Sequence, residues 1–245
     1  MRALVTGAGR RVGRAIALEL ASTGWDVLVH YNRSEAPALE VVRAIRDAGG
    51  TADTVQGDLA EVAGCTAVAD AVKARWDGLE LLVNNASIFE PKPFGEIDLA
   101  HWDWMHAVNV RAPFLLARDL LEHLRTGRLS GECGGCVVNL CDIGAERPVS
   151  GYTAYSVSKA GVVMLTRSMA VELAPRVRTV GVAPGQVAWP EDYSAEKRAA
   201  LSRRIPMGRA GTPEDVARLV RFLAMEGHYL NGIVVPVDGG LHVRY

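Results

Sequence analysis

The chain has 245 residues, 49% of them hydrophobic and 22% charged, with a formal net charge of −1. That profile fits one large α/β domain with an ample buried core, and the balanced charge leaves no basic footprint for nucleic acid. No apolar run approaches the roughly 18 residues of a membrane span, and Met1 leads straight into a strand-like run with no cleavable leader, so a cytoplasmic location is expected.

Arg2 to Thr6 reads as a short apolar strand, followed by Gly7-Ala8-Gly9-Arg10-Arg11-Val12-Gly13 and a helix from Arg14 to Ser22. A strand, a Gly-rich turn and a helix N-terminus together make an anion site, because backbone N–H groups and the helix dipole both favour phosphate. The glycines fall at 7, 9 and 13 rather than in the G-x-G-x-x-G spacing, so the pattern alone is a weak signal, with a plain tight βα loop as the lesser alternative. Arg10, Arg11 and Arg14 add positive charge there. The next strand, Asp26 to His30, ends in Tyr31-Asn32-Arg33-Ser34. A fold that binds NAD typically places an acid on the ribose 2′-hydroxyl about 20 residues past the glycines. Here His30, Asn32, Arg33 and Ser34 occupy that region, with no carboxylate before Glu35. Donors and a guanidinium suit a 2′-phosphate, so NADPH is expected over NADH; the alternative is a solvated loop arginine.

A helix at about 35–48 precedes a strand from Ala52 to Gln56, which closes in Gly57-Asp58-Leu59. A helix at about 61–76 leads to the strand Leu79 to Val83, ending in Asn84-Asn85-Ala86-Ser87. This alternation predicts a parallel sheet with helices on both faces, and right-handed crossovers make it doubly wound. Ile88 to Ile97 is a loop carrying Phe89. Asp98 is an expected N-cap for one long helix at about 99–125. His101 and His106, five apart, do not share a helix face, which argues against a metal pair. Asn109 lies mid-helix, where an amide either bonds backbone locally or serves a site.

Val137 to Cys141 forms an apolar strand, Asp142 stands at its end, and a helix opens near Tyr152 and runs to about Leu173. Tyr155 and Lys159 are four apart and share a helix face. An ammonium beside a phenol favours phenolate and makes the phenol a better proton donor. Taken alone, such a pair is more often simply exposed, and the rest of the chain reverses that reading. Asp142 falls at the edge of the sheet where ligands bind. A strand from Arg178 to Ala183 ends in Pro184-Gly185, and Gln186 to Pro206 has the length of a lid or binding segment. Within it Ala195–Arg203 reads as a short helix, and Trp189 and Tyr193 either line a pocket or pack. Thr212-Pro213-Glu214-Asp215 opens a capped helix, and Ile233 to Val237 is the last strand. The four cysteines, Cys65, Cys133, Cys136 and Cys141, include a ligand-like Cys133-Gly-Gly-Cys136 spacing. No second pair completes a zinc site, so free thiols and no metal are expected.

Thr6-Gly7 through Gly13, Asp58, Asn84-Asn85-Ala86, Asn109, Tyr155-x-x-x-Lys159 and Pro184-Gly185, in this order and spacing, resemble the short-chain dehydrogenase/reductase family over nearly the whole chain. The resemblance implies a single Rossmann-like domain, a doubly wound parallel seven-stranded sheet, and a homotetramer. It implies Tyr155 as general acid, with Lys159 lowering its pKa and holding the nicotinamide ribose. Asn109 would support a water-mediated relay to Lys159. The implied cofactor-binding set is Gly7, Arg10, Arg11, Val12, His30, Asn32, Arg33, Ser34, Asp58, Leu59, Asn85, Ala86, Ser87, Tyr155, Lys159, Pro184 and Gly185.

Two departures narrow this. Arg11 stands where the family usually has glycine, and Asp142 stands where it usually has serine. A serine there donates to a substrate carbonyl, whereas an ionised carboxylate cannot. Both departures, with His30-Tyr31-x-Arg33-Ser34 and Phe89, resemble the pteridine and dihydromonapterin reductases. By that resemblance Arg11 touches pyrophosphate and pterin, Phe89 stacks on the pterin ring, and Asp142 joins Tyr155 in protonating a ring nitrogen. The expected activity is NADPH-dependent reduction of a pterin-like C=N bond. The alternatives are a carbonyl reductase of 3-oxoacyl or sugar type and a nucleotide-sensing protein without turnover.

Overall fold

A computed structural model of the chain describes residues 1–129, 134–189 and 193–244. Seven strands, β1 (Arg2–Val5), β2 (Asp26–Tyr31), β3 (Thr51–Gln56), β4 (Leu81–Asn84), β5 (Gly135–Leu140), β6 (Val177–Pro184) and β7 (Val234–Val237), form one sheet. Their order is β3-β2-β1-β4-β5-β6-β7, and every pairing is parallel. Strand order reverses between β1 and β4, which opens a crevice at their carboxyl ends, the usual ligand position in such sheets.

Both faces of the sheet are covered, so its strands read as continuous apolar runs. Successive side chains still point to opposite faces. In β1, Ala3 and Val5 join a core with Ile16, Leu20 and Trp25, while Leu4 joins a second core with Val68, Leu116 and Leu120. The first core lies under helices α1 (Arg11–Ser22), α2 (Glu35–Asp47) and, further along the chain, α9 (Pro213–Met225). The second lies under α3 (Val62–Arg75), α5 (Ala112–Asp119), α6 (Leu121–Arg125) and α7 (Thr153–Glu172), while α4 (Leu99–His106) packs Met105 in a small cluster with Ala154 and Tyr155. The capping expectations hold: Asp98 accepts from the His101 N–H at 2.7 Å, and Thr212 and Asp215 form a reciprocal capping box at α9.

The expected single helix over 99–125 is instead broken. A π turn, Ala107–Arg111, separates α4 from α5. Pro113 has no N–H to donate to the carbonyl four residues back, that of Asn109, so the α-helical ladder opens there. The helix expected from Arg14 begins three residues earlier, at Arg11. The expected short helix in the 186–206 segment is α8 (Ala195–Ser202), capped by Ser194.

Candidate active site

The carboxyl ends of β1, β2, β4, β5 and β6 surround a cleft of about 990 Å³. One flank is built from the Gly-rich turn. Gly7 adopts φ +62°, and a Cβ on Gly13 would lie 2.4 Å from the Gly7 carbonyl oxygen, so helix α1 could not pack this closely with any side chain there. Thr6 and Asn85 tie β1 to β4 behind the turn. The Thr6 hydroxyl accepts from the N–H groups of Asn85 and Ala86, at 2.9 and 3.0 Å, and the Asn85 amide donates to the Thr6 and Gly7 carbonyls, at 2.8 and 3.1 Å. Asp58 accepts from the Ala60 N–H and lines the same flank with Leu59, Asn85, Ala86 and Ser87.

His30 differs from expectation. It is 2% exposed; its Nδ1 accepts from the Gly7 N–H at 3.0 Å, which places the proton on Nε2, facing the Gly57 carbonyl at 3.0 Å. Burial pushes its pKa down to about 4. Both ring nitrogens are committed and the ring is neutral, so His30 braces the turn and has no donor left for a phosphate. His30, Asn32, Arg33 and Ser34 all line the cleft, with Arg10, Arg11 and Val12 beside them. Among the described residues, neither Arg10 nor Arg33 is ion-paired with a carboxylate. Arg11 has φ +50°, the left-handed region that a glycine would occupy without strain. Its guanidinium donates to the Ala188 carbonyl at 3.1 Å, joining the turn to the 186–206 segment.

The reacting end lies at β5 and α7. The Tyr155 hydroxyl donates to Asp142 Oδ2 at 2.7 Å, while Oδ1 accepts from the Gly144 N–H at 2.6 Å and holds the carboxylate in place. Lys159 is 4% exposed and donates to the Leu140 carbonyl at 2.8 Å. Burial lowers its pKa, opposed by the charge of Asp142. Tyr155 is 7% exposed, and its pKa is raised well above the ordinary value, first by burial and then by the charge and hydrogen bond of Asp142. Lowering by Lys159 was the expectation, and burial with Asp142 reverses it. Lys159 Nζ stands 5.7 Å from the Tyr155 ring centre, too far to offset a carboxylate in direct contact.

Asn109 sits in the π turn, 2% exposed and fully bonded. Its Oδ1 accepts from the Ile88 N–H at 2.8 Å, and its Nδ2 donates to the Ile88 carbonyl at 3.1 Å and to the Ser158 hydroxyl at 2.9 Å. It clamps the loop that follows β4 onto α7, one position before Lys159. Phe89 is 57% exposed, and one face of its ring is stacked on Tyr152, with centroids 4.3 Å apart at 14°. Its edge contact with Tyr155 is at 4.8 Å. Tyr152 is a cleft residue that sequence reading missed; its place three residues before Tyr155, one helical turn away, was the available signal. Pro184 and Gly185 line the floor, and Tyr193 reaches the cleft from the 186–206 segment, whereas Trp189 packs near Tyr193.

Cys65 and Cys141 are buried thiols with pKa pushed up to about 11 by burial, and Cys136 is buried in β5. Cys133, the other half of the Cys133-Gly-Gly-Cys136 spacing, lies outside the described residues. Among the described residues no group of three or more His, Cys, Asp or Glu could hold a metal, and no helix is long and apolar enough to cross a membrane.

A phenol, a buried lysine and an asparagine clamp at the mouth of a doubly wound sheet define a Rossmann-like oxidoreductase. The family model described as enoyl-(acyl carrier protein) reductase matches residues 7–242, and the chain belongs to the short-chain dehydrogenase/reductase family. It is 35% identical over 244 residues to 3β-hydroxysteroid dehydrogenase 1 of Eggerthella lenta, covering 97% of this chain and 92% of that protein. It is 33% identical to a short chain dehydrogenase/reductase of Aspergillus aculeatus, covering 97% and 94%. Among solved structures it is similar to the alternative dihydrofolate reductase 1 of Brucella canis complexed with NADP, with TM-score 0.90, 33% identity and 100% and 94% coverage. The corresponding Brucella suis protein in complex with NADP gives TM-score 0.88, 34% identity and 100% and 96% coverage.

Proposed function

We propose that the protein is an NADPH-dependent reductase of a C=N bond in a pterin-like ring. The observation that carries this reading is Asp142, hydrogen-bonded to Tyr155 at 2.7 Å where a carbonyl-directed site needs a donor. A carboxylate cannot donate to a carbonyl oxygen, but it can accept from ring or exocyclic N–H groups and hold a protonated nitrogen. The names of the two Brucella structures support the same reading, as does the exposed aromatic ring of Phe89 beside the phenol.

Arg33, Asn32 and Ser34 would hold the 2′-phosphate of NADPH, and the Gly7–Gly13 turn with Arg10 and Arg11 its pyrophosphate. When bound, NADPH supplies the hydride that adds to the ring carbon. Tyr155 delivers the proton to the neighbouring nitrogen, Asp142 aligns the phenol and the ring N–H groups, and Lys159 would hold the nicotinamide ribose. Asn109 keeps the loop after β4 and α7 at the spacing this needs. Val157, Met164 and Val171, exposed at seven-residue intervals along α7, form a stripe that supports the homotetramer implied by the family resemblance.

The test is NADPH oxidation with dihydropterins set against 3-oxoacyl thioesters and ketosteroids. Dihydropterin reduction is expected. Asp142→Ser should depress it heavily and raise the ratio of ketone to pterin activity, because a hydroxyl can donate to a carbonyl. A parent enzyme that reduces ketones and ignores every dihydropterin establishes the second reading, a carbonyl reductase, which the similarity to a hydroxysteroid dehydrogenase favours.

A further inference from the structure

Six basic side chains line the cleft. Its lining includes Arg10, Arg11 and Arg33 on the Gly-rich flank and Lys159 at the reacting end. Its two carboxylates are also placed: Asp58 beside the Gly-rich flank, and Asp142 on Tyr155. Arg147 and Arg204 remain. Both line the cleft and both are exposed. Neither is ion-paired with a carboxylate among the described residues, and the Arg204 side chain makes no hydrogen bond there.

They belong to one rim. Arg147 donates to the Leu241 carbonyl. The loop that carries Leu241 packs on the segment that carries Arg204: the Met207 N–H donates to the Gly239 carbonyl at 3.2 Å, and Arg244 donates to the Arg203 carbonyl at 2.9 Å. The same loop that positions Arg147 continues to Tyr152, whose ring stacks on Phe89. Arg147 and Arg204 thus line the same cleft as Phe89, on chain segments other than the Gly-rich turn. Guanidinium forks match carboxylate and phosphate oxygens in pairs.

We infer that the substrate carries an anionic substituent beyond its reducible ring, and that Arg147 and Arg204 form the subsite that reads it. The inference rests on the pterin reading and narrows it: the preferred substrate has a carboxylate or phosphate tail rather than a neutral polyol side chain.

Equilibrium binding to the NADP-loaded enzyme tests this without requiring turnover. The probes are folate, which carries two carboxylates, a dihydroneopterin phosphate, and 6-hydroxymethylpterin, which has the same ring and no charge on its side chain. The two anionic ligands should bind at least tenfold more tightly than the neutral one, and 0.5 M salt, in order of magnitude, should shrink that ratio. Arg204→Gln alone, at a side chain that makes no hydrogen bond among the described residues, should reduce the preference, and adding Arg147→Gln should erase it. Binding of 6-hydroxymethylpterin should not change in either variant. Retention of the tail preference by folate alone identifies carboxylate as the anion, and by the phosphate alone identifies phosphate. Equal binding of all three ligands by the parent overturns the subsite and leaves the pterin reading standing. No binding of any of the three overturns the pterin reading, and the subsite with it.

Discussion

The Tyr155 hydroxyl donates a hydrogen bond to Asp142 at 2.7 Å, so the phenol at the centre of the site faces a carboxylate rather than the lysine four residues along its own helix. A negative neighbour disfavours phenolate, which is why the Tyr155 pKa lies well above its ordinary value. The phenol therefore stays protonated across the working range and holds the proton the reaction needs, as a weaker acid than a free phenol. Tyr155→Phe should lower turnover by about 10²–10⁴ while cofactor binding persists. In Asp142→Ser the phenol loses both its anionic neighbour and its acceptor, so its pKa should fall, visible as phenolate absorbance appearing at lower pH. An unchanged Tyr155 titration in that variant would show that burial alone sets the value.

Cofactor choice is a second expectation. With Arg33 and Ser34 at the cleft and no carboxylate in that position, NADPH should bind at least tenfold more tightly than NADH, about 1.4 kcal/mol. Arg33→Ala should remove most of that difference in a direct titration of both cofactors. Equal parent affinities would contradict the assignment.

Arg11 separates stability from function. Its φ of +50° costs about 1–2 kcal/mol for a residue with a Cβ, against roughly 0.5–1 kcal/mol of chain entropy that glycine gives up on folding. Arg11→Gly should thus unfold at the same denaturant concentration as the parent or slightly higher. It should nevertheless weaken NADPH binding and loosen the 186–206 segment, whose Ala188 carbonyl Arg11 holds at 3.1 Å. Faster proteolysis of that segment in the variant, with global stability intact, is the expected pattern.

His30 predicts an acid sensitivity. Its folded pKa is about 4, below the ordinary 6.5, because burial disfavours the charged ring. Above pH 6.5 the ring is neutral in both states and its full contribution is present. As pH falls from 6.5 towards 4, the unfolded chain takes up a proton that the folded chain refuses, and stability is lost. The total is roughly 3 kcal/mol, of which about 2 kcal/mol should be gone at pH 5. Urea unfolding at pH 7 and pH 5 measures it, and His30→Asn should flatten the difference. A His30 resonance that titrates near 6.5 in the folded protein would contradict the prediction.

Much of the architecture is legible in the chain because a sheet covered on both faces leaves a local record. The apolar runs of β1, β4 and β5, their helix-length spacers and the capping residues Asp98 and Thr212 all act within a few residues of themselves. Tyr155 and Lys159 are legible for the same reason, being one turn apart on α7. The unbroken helix expected over 99–125 failed on Pro113, whose effect falls on the carbonyl four residues earlier and turns Asn109 out of the α-helical ladder. That displacement answers what an asparagine does mid-helix: its amide bonds to Ile88 and Ser158, neighbours twenty-one and forty-nine residues away.

The sequence by itself determined the sheet, the family and the residue types of the site, since each is written in spacing along one element or in an ordered series of short motifs. Which way the groups act on each other was decided only by tertiary structure. His30 looked like a phosphate donor until Gly7 and Gly57, from two other strand ends, took both its nitrogens. Lys159 looked like the group that sets the Tyr155 pKa until Asp142 came within 2.7 Å and Lys159 turned to the Leu140 carbonyl. Hydrogen bonds and charge interactions fall off over a few ångströms, and a strand end brings together residues whose separation along the chain carries no trace of that distance.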